Sequence, residues 1–272
     1  EYIMTTVPHP SSGMDLKLMY QDCTLCPRMC HADRTSKTGF CRCTDEITAA
    51  RAALHFWEEP CISGSGGSGT VFFSGCTLKC CFCQNYQISQ EGFGKKISTE
   101  ELARIFLDLQ EQGAENISLV TADQYLPSVV SALDLVKDRI RVPVVYNCSG
   151  YERLESLQLL SGYIDIFLPD LKYYDTGIAQ KYSRAGDYFF YASRAIPEMI
   201  RQTGIPRFNQ QGVLEKGVIV RHMVLPGQKA DSIRLLHWMA DHLEKGSFLL
   251  SLMSQYTPFY HASDYPEINR QI

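Results

Sequence analysis

The chain has 272 residues, 45% hydrophobic and 21% charged, a composition ordinary for a globular protein with a sizeable core. Its net charge of −4, with no basic stripe, argues against a nucleic-acid partner. No apolar run reaches the roughly 18 residues of a membrane span and the first twenty residues lack a signal-peptide core, so the expectation is a cytoplasmic protein without a membrane partner. The sequence begins at Glu1, so a removed leader or longer start would leave no trace in it.

Residues 1 to 63 form the first unit, a Cys-rich N-terminal appendage without regular alternation. Of eleven cysteines in the chain, six lie in it: Cys23, Cys26, Cys30, Cys41, Cys43 and Cys61. A secreted disulfide scaffold would be shorter, and an odd count leaves one thiol over, so metal binding in a reducing compartment is the better reading. Cys23, Cys26, Cys30 and Cys41 form the favoured set. A structural zinc and an auxiliary iron-sulfur cluster both suit it, and Cys43 and Cys61 fit simple packing as well. The Ser63 to Gly69 stretch precedes a strand, whereas phosphate loops follow one, so it reads as a flexible or close-approach loop.

From Thr70 onward, short β-branched or aromatic runs alternate with helical stretches, the signature of parallel βα units. The strands expected are Thr70 to Ser74, Asn116 to Thr121, Val142 to Asn147, Ile164 to Leu168, Val218 to Val224 and Phe248 to Met253. One helix starts at the Ser98 and Glu101 capping box, carries Leu102, Ile105, Phe106 and Leu109 on one face, and stops at Gly113. A second opens at Pro127, and a third runs from Asp231 to Leu243. Six such units give an α/β fold, a partial (β/α)6 TIM-like barrel over 64–272, partly open and suited to a large substrate. Ligands of such barrels sit at the carboxyl ends of the strands, so the residues just beyond each run are the candidates.

The first strand runs into Cys76, Cys80, Cys81 and Cys83. Cys76, Cys80 and Cys83, with three and then two residues between them, can wrap a [4Fe-4S] cube and leave one iron free for a ligand. Cys80 and Cys81 are adjacent and cannot easily ligate one ion, which weakens a structural zinc; Cys81 reads as packing.

This spacing resembles the radical S-adenosylmethionine superfamily. Gly64 to Gly69, Phe72-Phe-Ser-Gly-Cys76 and Cys83-Gln-Asn85 resemble its pyruvate formate-lyase activating-enzyme branch, specifically an uncharacterised group of homologues. The resemblance implies S-adenosylmethionine at the open iron, reductive cleavage to a 5′-deoxyadenosyl radical, and a flavodoxin or ferredoxin as reductant. It implies Phe82 beside the adenine, Thr121 near the methionyl amine, Lys172 of Asp170-Leu171-Lys172 facing the carboxylate, and Arg221 as a second cationic contact. Asn147 stands where relatives carry an aspartate, and Gln255 where the activating enzymes carry a histidine. His222 reads as packing or a supporting hydrogen bond. Three functions follow: hydrogen abstraction from a glycine of a partner protein, radical modification of a peptide or small molecule, or a metal-binding or scaffold protein without activity, kept open by Ala122, Asn147 and Gln255.

Overall fold

The computed structural model describes residues 15–272. Thr48–His55 forms β1, whose Ala53 and Leu54 pair antiparallel with Thr70 and Gly69 of β2 (Ser68–Phe73). The two-residue β3 (Lys95–Lys96) extends this edge on β1. After β2 the strands β4 (Ile117–Val120), β5 (Val144–Cys148), β6 (Ile166–Pro169), β8 (Leu214–Met223) and β9 (Leu249–Met253) add in parallel, each beside its predecessor. The short β7 (Arg207–Phe208) lies antiparallel on the start of β8. Among the described residues, six strands therefore run parallel in the order expected from the sequence, and β9 pairs only with β8, so the barrel is partial and open.

The crossovers are helical. In α3 (Thr99–Glu111) the Ser98 side chain accepts the Glu101 amide while the Glu101 carboxylate accepts the Ser98 amide, and Leu102, Phe106 and Leu109 are buried. This satisfies two N-terminal amides that would otherwise lack partners. α4 (Leu126–Val136) starts with its proline in the first turn and buries Val129, Leu133 and Val136. α8 (Lys229–His242) buries Leu235 and Met239. The sequence pattern is less clear for α5 (Leu154–Leu159), α6 (Thr176–Ser183) and α7 (Tyr188–Thr203), the last with Pro197 inside it.

Strand alternation sorts the sheet residues onto two faces. Val144, Tyr146, Phe167, Val218 and Val220 belong to the main core with the helices. Val145, Ile166, Leu168 and Ile219 point the other way and pack on Ile62. Ile62 belongs to α1 (Pro60–Ser63), a single turn in the β1 to β2 connection. Its carbonyl accepts the Asn116 amide nitrogen at 2.7 Å, and Asn116 Oδ1 accepts the Ser68 hydroxyl at 2.6 Å. The connection therefore plugs the face of the sheet away from the helices. The glycine-rich stretch behind it is a close-approach loop: a Cβ on Gly66 would overlap the Gly113 carbonyl, and one on Gly69 would lie 2.9 Å from the Asn116 carbonyl. Residues 48–63, read from sequence as part of the appendage, thus contribute a strand and a plug to the barrel.

Candidate functional site

Period two places Asn147, Arg221 and the residue just beyond β6, Asp170, on the plugged face, above Val145, Ile219 and Leu168. The Arg221 guanidinium is the hub of this group. Its Nε donates to Asp170 Oδ1 at 3.0 Å, its Nη1 to Glu58 Oε1 at 3.1 Å and its Nη2 to Asn147 Oδ1 at 2.7 Å. Asn147 Nδ2 in turn donates to Glu58 Oε2 at 3.0 Å, and Lys172 Nζ to Asp170 Oδ2 at 2.5 Å. Burial alone would raise the Asp170 pKa, but Arg221 and Lys172 outweigh it and hold the carboxyl below its ordinary range. The same carboxylate raises Lys172 despite burial. The group is therefore a set of fixed charges, with two cations facing two carboxylates.

Glu58 has no counterpart in the sequence-based reading. It arrives at the site in the connection after β1, beyond none of the parallel strands, and supplies the negative charge that Asn147 lacks.

Cys76, Cys80 and Cys83 follow β2 in one loop and lie in one another's electrostatic field. Each sulfur has a partner. The Leu78 amide donates to Cys76 Sγ at 3.4 Å, Ser183 Oγ lies 2.9 Å from Cys80 Sγ, and Ser89 Oγ lies 3.2 Å from Cys83 Sγ. Ser183 ends α6, and its hydroxyl is also 2.7 Å from the Tyr173 hydroxyl. The backbone around it holds the loop as well, since the Lys79 and Cys81 amides donate to the Ser183 and Tyr182 carbonyls. Burial raises the Cys80 thiol pKa, and Lys172 opposes this. The Lys172 ammonium is thus paired with the carboxylate that Arg221 holds and is also in the field of Cys80.

Among the described residues, no three His, Cys, Asp or Glu side chains converge as the ligands of one metal ion would. A [4Fe-4S] cube does not require that, because each cysteine binds a different iron. Three free thiols on one loop, with hydrogen-bond partners at their sulfurs and a partly buried cation in the field of Cys80, fit such a cube. Cys81 is 8% exposed and packed into the core, as the sequence suggests.

The remaining candidates are placed as follows. Phe82 is buried edge-on against Tyr256, centroids 5.6 Å apart. Thr121 follows β4 in a left-handed conformation, φ 57°, its amide bonded to the Asn147 carbonyl. Gln255 is exposed beyond β9, its Nε2 3.5 Å from Met253 Sδ, outside the Arg221 group. His222 points away from Arg221 toward α8: Nδ1 is 2.6 Å from the Leu171 carbonyl oxygen and Nε2 is 2.8 Å from Ser232 Oγ. The loops after β5 and β6 are tied by Tyr188, whose hydroxyl accepts the Lys172 amide at 2.9 Å and lies 2.8 Å from the Asp170 carbonyl. Gly150 makes this possible, because at φ 75° a Cβ would overlap that carbonyl.

The four N-terminal cysteines are neighbours, linked by their electrostatic fields, without converging as the ligands of one ion would. Cys26 lies in the field of Cys41 and Cys23, and Cys23 in that of Cys30. A Cβ on Gly39 would sit 3.3 Å from Cys30 Sγ and 3.6 Å from Cys41 Sγ. Arg34, fully buried, donates from Nη1 toward Cys23 Sγ at 3.7 Å and to the Gln124 carbonyl at 2.6 Å.

Comparison with known proteins places the chain in a family. The model of the Radical SAM superfamily matches residues 70–239. An uncharacterized protein of Methanocaldococcus jannaschii, MJ0674, is 29% identical over 274 residues, covering 95% of this chain and 74% of its own length. Among solved structures, Streptococcus suis SuiB in the free state superposes with a TM-score of 0.43 at 15% identity, over 70% of this chain and 39% of SuiB. SuiB bound to S-adenosylmethionine gives 0.46 at 14% over 72% and 41%, and SuiB bound to precursor peptide SuiA gives 0.45 at 15% over 72% and 40%. The chain spans about two fifths of the length of those SuiB chains.

Proposed function

Because the chain belongs to the radical SAM superfamily, whose members carry a [4Fe-4S] cluster and S-adenosylmethionine, we propose that Cys76, Cys80 and Cys83 hold that cluster and that the Arg221 group receives the cofactor. Held there, the cluster and S-adenosylmethionine together would supply one-electron reductive cleavage, the superfamily's source of a hydrogen-abstracting radical. The observation that carries the reading is the position of Lys172, within the field of Cys80 and paired with Asp170, next to Arg221.

The protein's own residues bind and orient. Lys172 and Arg221 offer positive charge to the methionyl carboxylate, and Lys172 as a point charge can swing from Asp170 to the ligand. Asp170 pairs with both cations and Asn147 fixes the Arg221 guanidinium. Thr121 and the backbone after β4 lie beside them for the methionyl amine, Phe82 offers an apolar face to the adenine, and Gln255 lies at the rim beyond β9. The buried plug closes the lower barrel to water, as radical chemistry requires. Residues 64–272, completed by the strand and plug of residues 48–63 with Glu58, carry this chemistry, and the N-terminal segment brings a second metal at Cys23, Cys26, Cys30 and Cys41.

For the substrate, the favoured reading is a glycine of a partner protein, as in the activating enzymes. Asp170-Leu171-Lys172 and the open barrel support it. A peptide or small molecule is the second reading, favoured by the same open face. Anaerobically reconstituted protein, reduced with dithionite, should release 5′-deoxyadenosine from S-adenosylmethionine; no release would mean a non-catalytic metal protein. Deuterium moving from a candidate substrate into 5′-deoxyadenosine, with or without a glycyl-radical spin signal, decides between the two substrates.

A further inference from the structure

The N-terminal sulfurs, their buried arginine and their contact with the triad loop form one continuous structure. We infer that Cys23, Cys26, Cys30 and Cys41 hold a second iron-sulfur cluster that takes up an electron at the surface and passes it to the cluster on Cys76, Cys80 and Cys83. This rests on the reading above that the four sulfurs bind a metal.

Gly39 packs against two of the four sulfurs, since a Cβ there would lie 3.3 Å from Cys30 Sγ and 3.6 Å from Cys41 Sγ. Thiolates holding a cluster in a buried knot would need opposing charge, and Arg34 supplies it. Its guanidinium is 0% exposed, donates to the Cys43, Gln124 and Thr44 carbonyls as well as toward Cys23 Sγ, and stacks over Tyr20 at 4.9 Å and Tyr125 at 5.8 Å. A delocalised, weakly hydrated cation suits such a place better than an ammonium would.

The knot is built onto the triad loop. A Cβ on Gly75, the residue before Cys76, would overlap Cys43 Sγ and lie 2.8 Å from the Cys41 carbonyl. Arg28 Nε donates to the Thr77 carbonyl at 2.8 Å, and Arg42 Nη1 to the Gln90 carbonyl at 2.6 Å. Lys79 lies in the field of Cys76 and Cys41 together. Buried Asp123, with Thr77 beside it, lies in the field of Cys26 and Cys41 of the one set and Cys76 of the other.

The other end of the route reaches solvent. Cys23, Cys26 and Cys41 are buried, whereas Cys30 is exposed. Beside it lie the exposed Met29 and Phe40, with Arg28 4.2 Å and Lys79 5.2 Å from the centre of the Phe40 ring. An apolar contact ringed by cations fits an acidic one-electron donor of the flavodoxin or ferredoxin class. The donor gives one electron to the outer cluster, which goes from the 2+ to the 1+ state. The same electron then reduces the triad's cluster while the outer one returns to 2+, with no proton or bond change.

The test uses the full chain, reconstituted anaerobically with iron and sulfide. Cys76→Ser/Cys80→Ser/Cys83→Ser should keep about four iron and four sulfide, half the parent's content, and show a reduced-cluster spin signal that S-adenosylmethionine does not alter. One zinc and no iron would overturn the relay and leave the second-metal reading standing. No metal in a natively folded variant would overturn both. If that variant does not fold, the parent's own iron content separates the cases: about eight supports a second cluster, and about four overturns it. In Cys23→Ser/Cys30→Ser, reduced flavodoxin should no longer reduce the triad's cluster while dithionite still does. Equal reduction by both would refute the electron route. Arg34→Lys should shift the midpoint potential of the outer cluster alone, and an unchanged potential would refute Arg34 as its countercharge.

Discussion

Glu58 is the residue whose removal most directly probes how the site is held. Its carboxylate is 13% exposed and the facing Arg221 side chain 15%, with 3.1 Å between them. At an effective dielectric of 20, unit charges 4 Å apart attract by about 4 kcal/mol. Deleting the carboxylate also relieves its own desolvation, and Arg221 keeps Asp170 as a partner. Glu58→Ala should therefore cost about 3 kcal/mol, the low end for breaking a buried pair. Glu58→Gln keeps an acceptor for Arg221 but loses the charge and turns its amide nitrogen on the Asn147 Nδ2 donor, so it should cost about 2 kcal/mol. Urea unfolding of the metal-free chain under anaerobic conditions measures both, and affinity for S-adenosylmethionine should fall in the same order. Glu58→Ala within about 0.5 kcal/mol of the parent, the range of ordinary surface changes, would refute the assignment of Glu58 as the charge that fixes Arg221.

Other consequences follow from single contacts. Gly150→Ala forces a side chain into a left-handed residue at φ 75° and against the Asp170 carbonyl, so it should lose more than the 1–2 kcal/mol, roughly, of the backbone term alone; thermal melting and cofactor affinity both report it. Ser183→Ala removes the hydroxyl between Tyr173 and Cys80 Sγ; iron content should be unchanged while the midpoint potential of the triad's cluster becomes more negative, read by redox titration. His222 is buried, which lowers its pKa below 6.5. Above 6.5 both folded and unfolded chains are neutral at this residue. Below it the unfolded chain gains a proton first, so stability should fall as pH drops through 6.5, and His222→Gln should flatten that part of the unfolding profile.

The sequence makes the parallel sheet and the cysteine triad legible because both signals are local. Six β-branched or aromatic runs mark the six parallel strands, and the Ser98 capping box marks the start of α3 to the residue. β1 is harder to read: Thr48–His55 is TAARAALH, alanine-rich and poor in β-formers, and it becomes a strand only by pairing with β2. Glu58 stands in Trp57-Glu-Glu-Pro60, a loop by any local rule, and reaches Arg221 only because the plug turns under the sheet. Arg34 lacks a local signal too, since its partners Gln124 and Tyr125 lie some ninety residues on. Ser183 and Tyr188 support the site from α6 and α7, while the pattern read from sequence attends only to strand ends. Local pattern thus shows which residues end the strands, and tertiary pairing decides which distant charges hold them in place.

The free corner of the triad's cluster is the central claim. Electron-nuclear double resonance on the reduced protein, given S-adenosylmethionine labelled at the methionyl nitrogen and carboxylate, should show both labels coupled to the cluster spin, and the coupling should vanish in Cys80→Ala. A well-formed reduced cluster with no coupling to either label would contradict the claim that its open iron receives the cofactor.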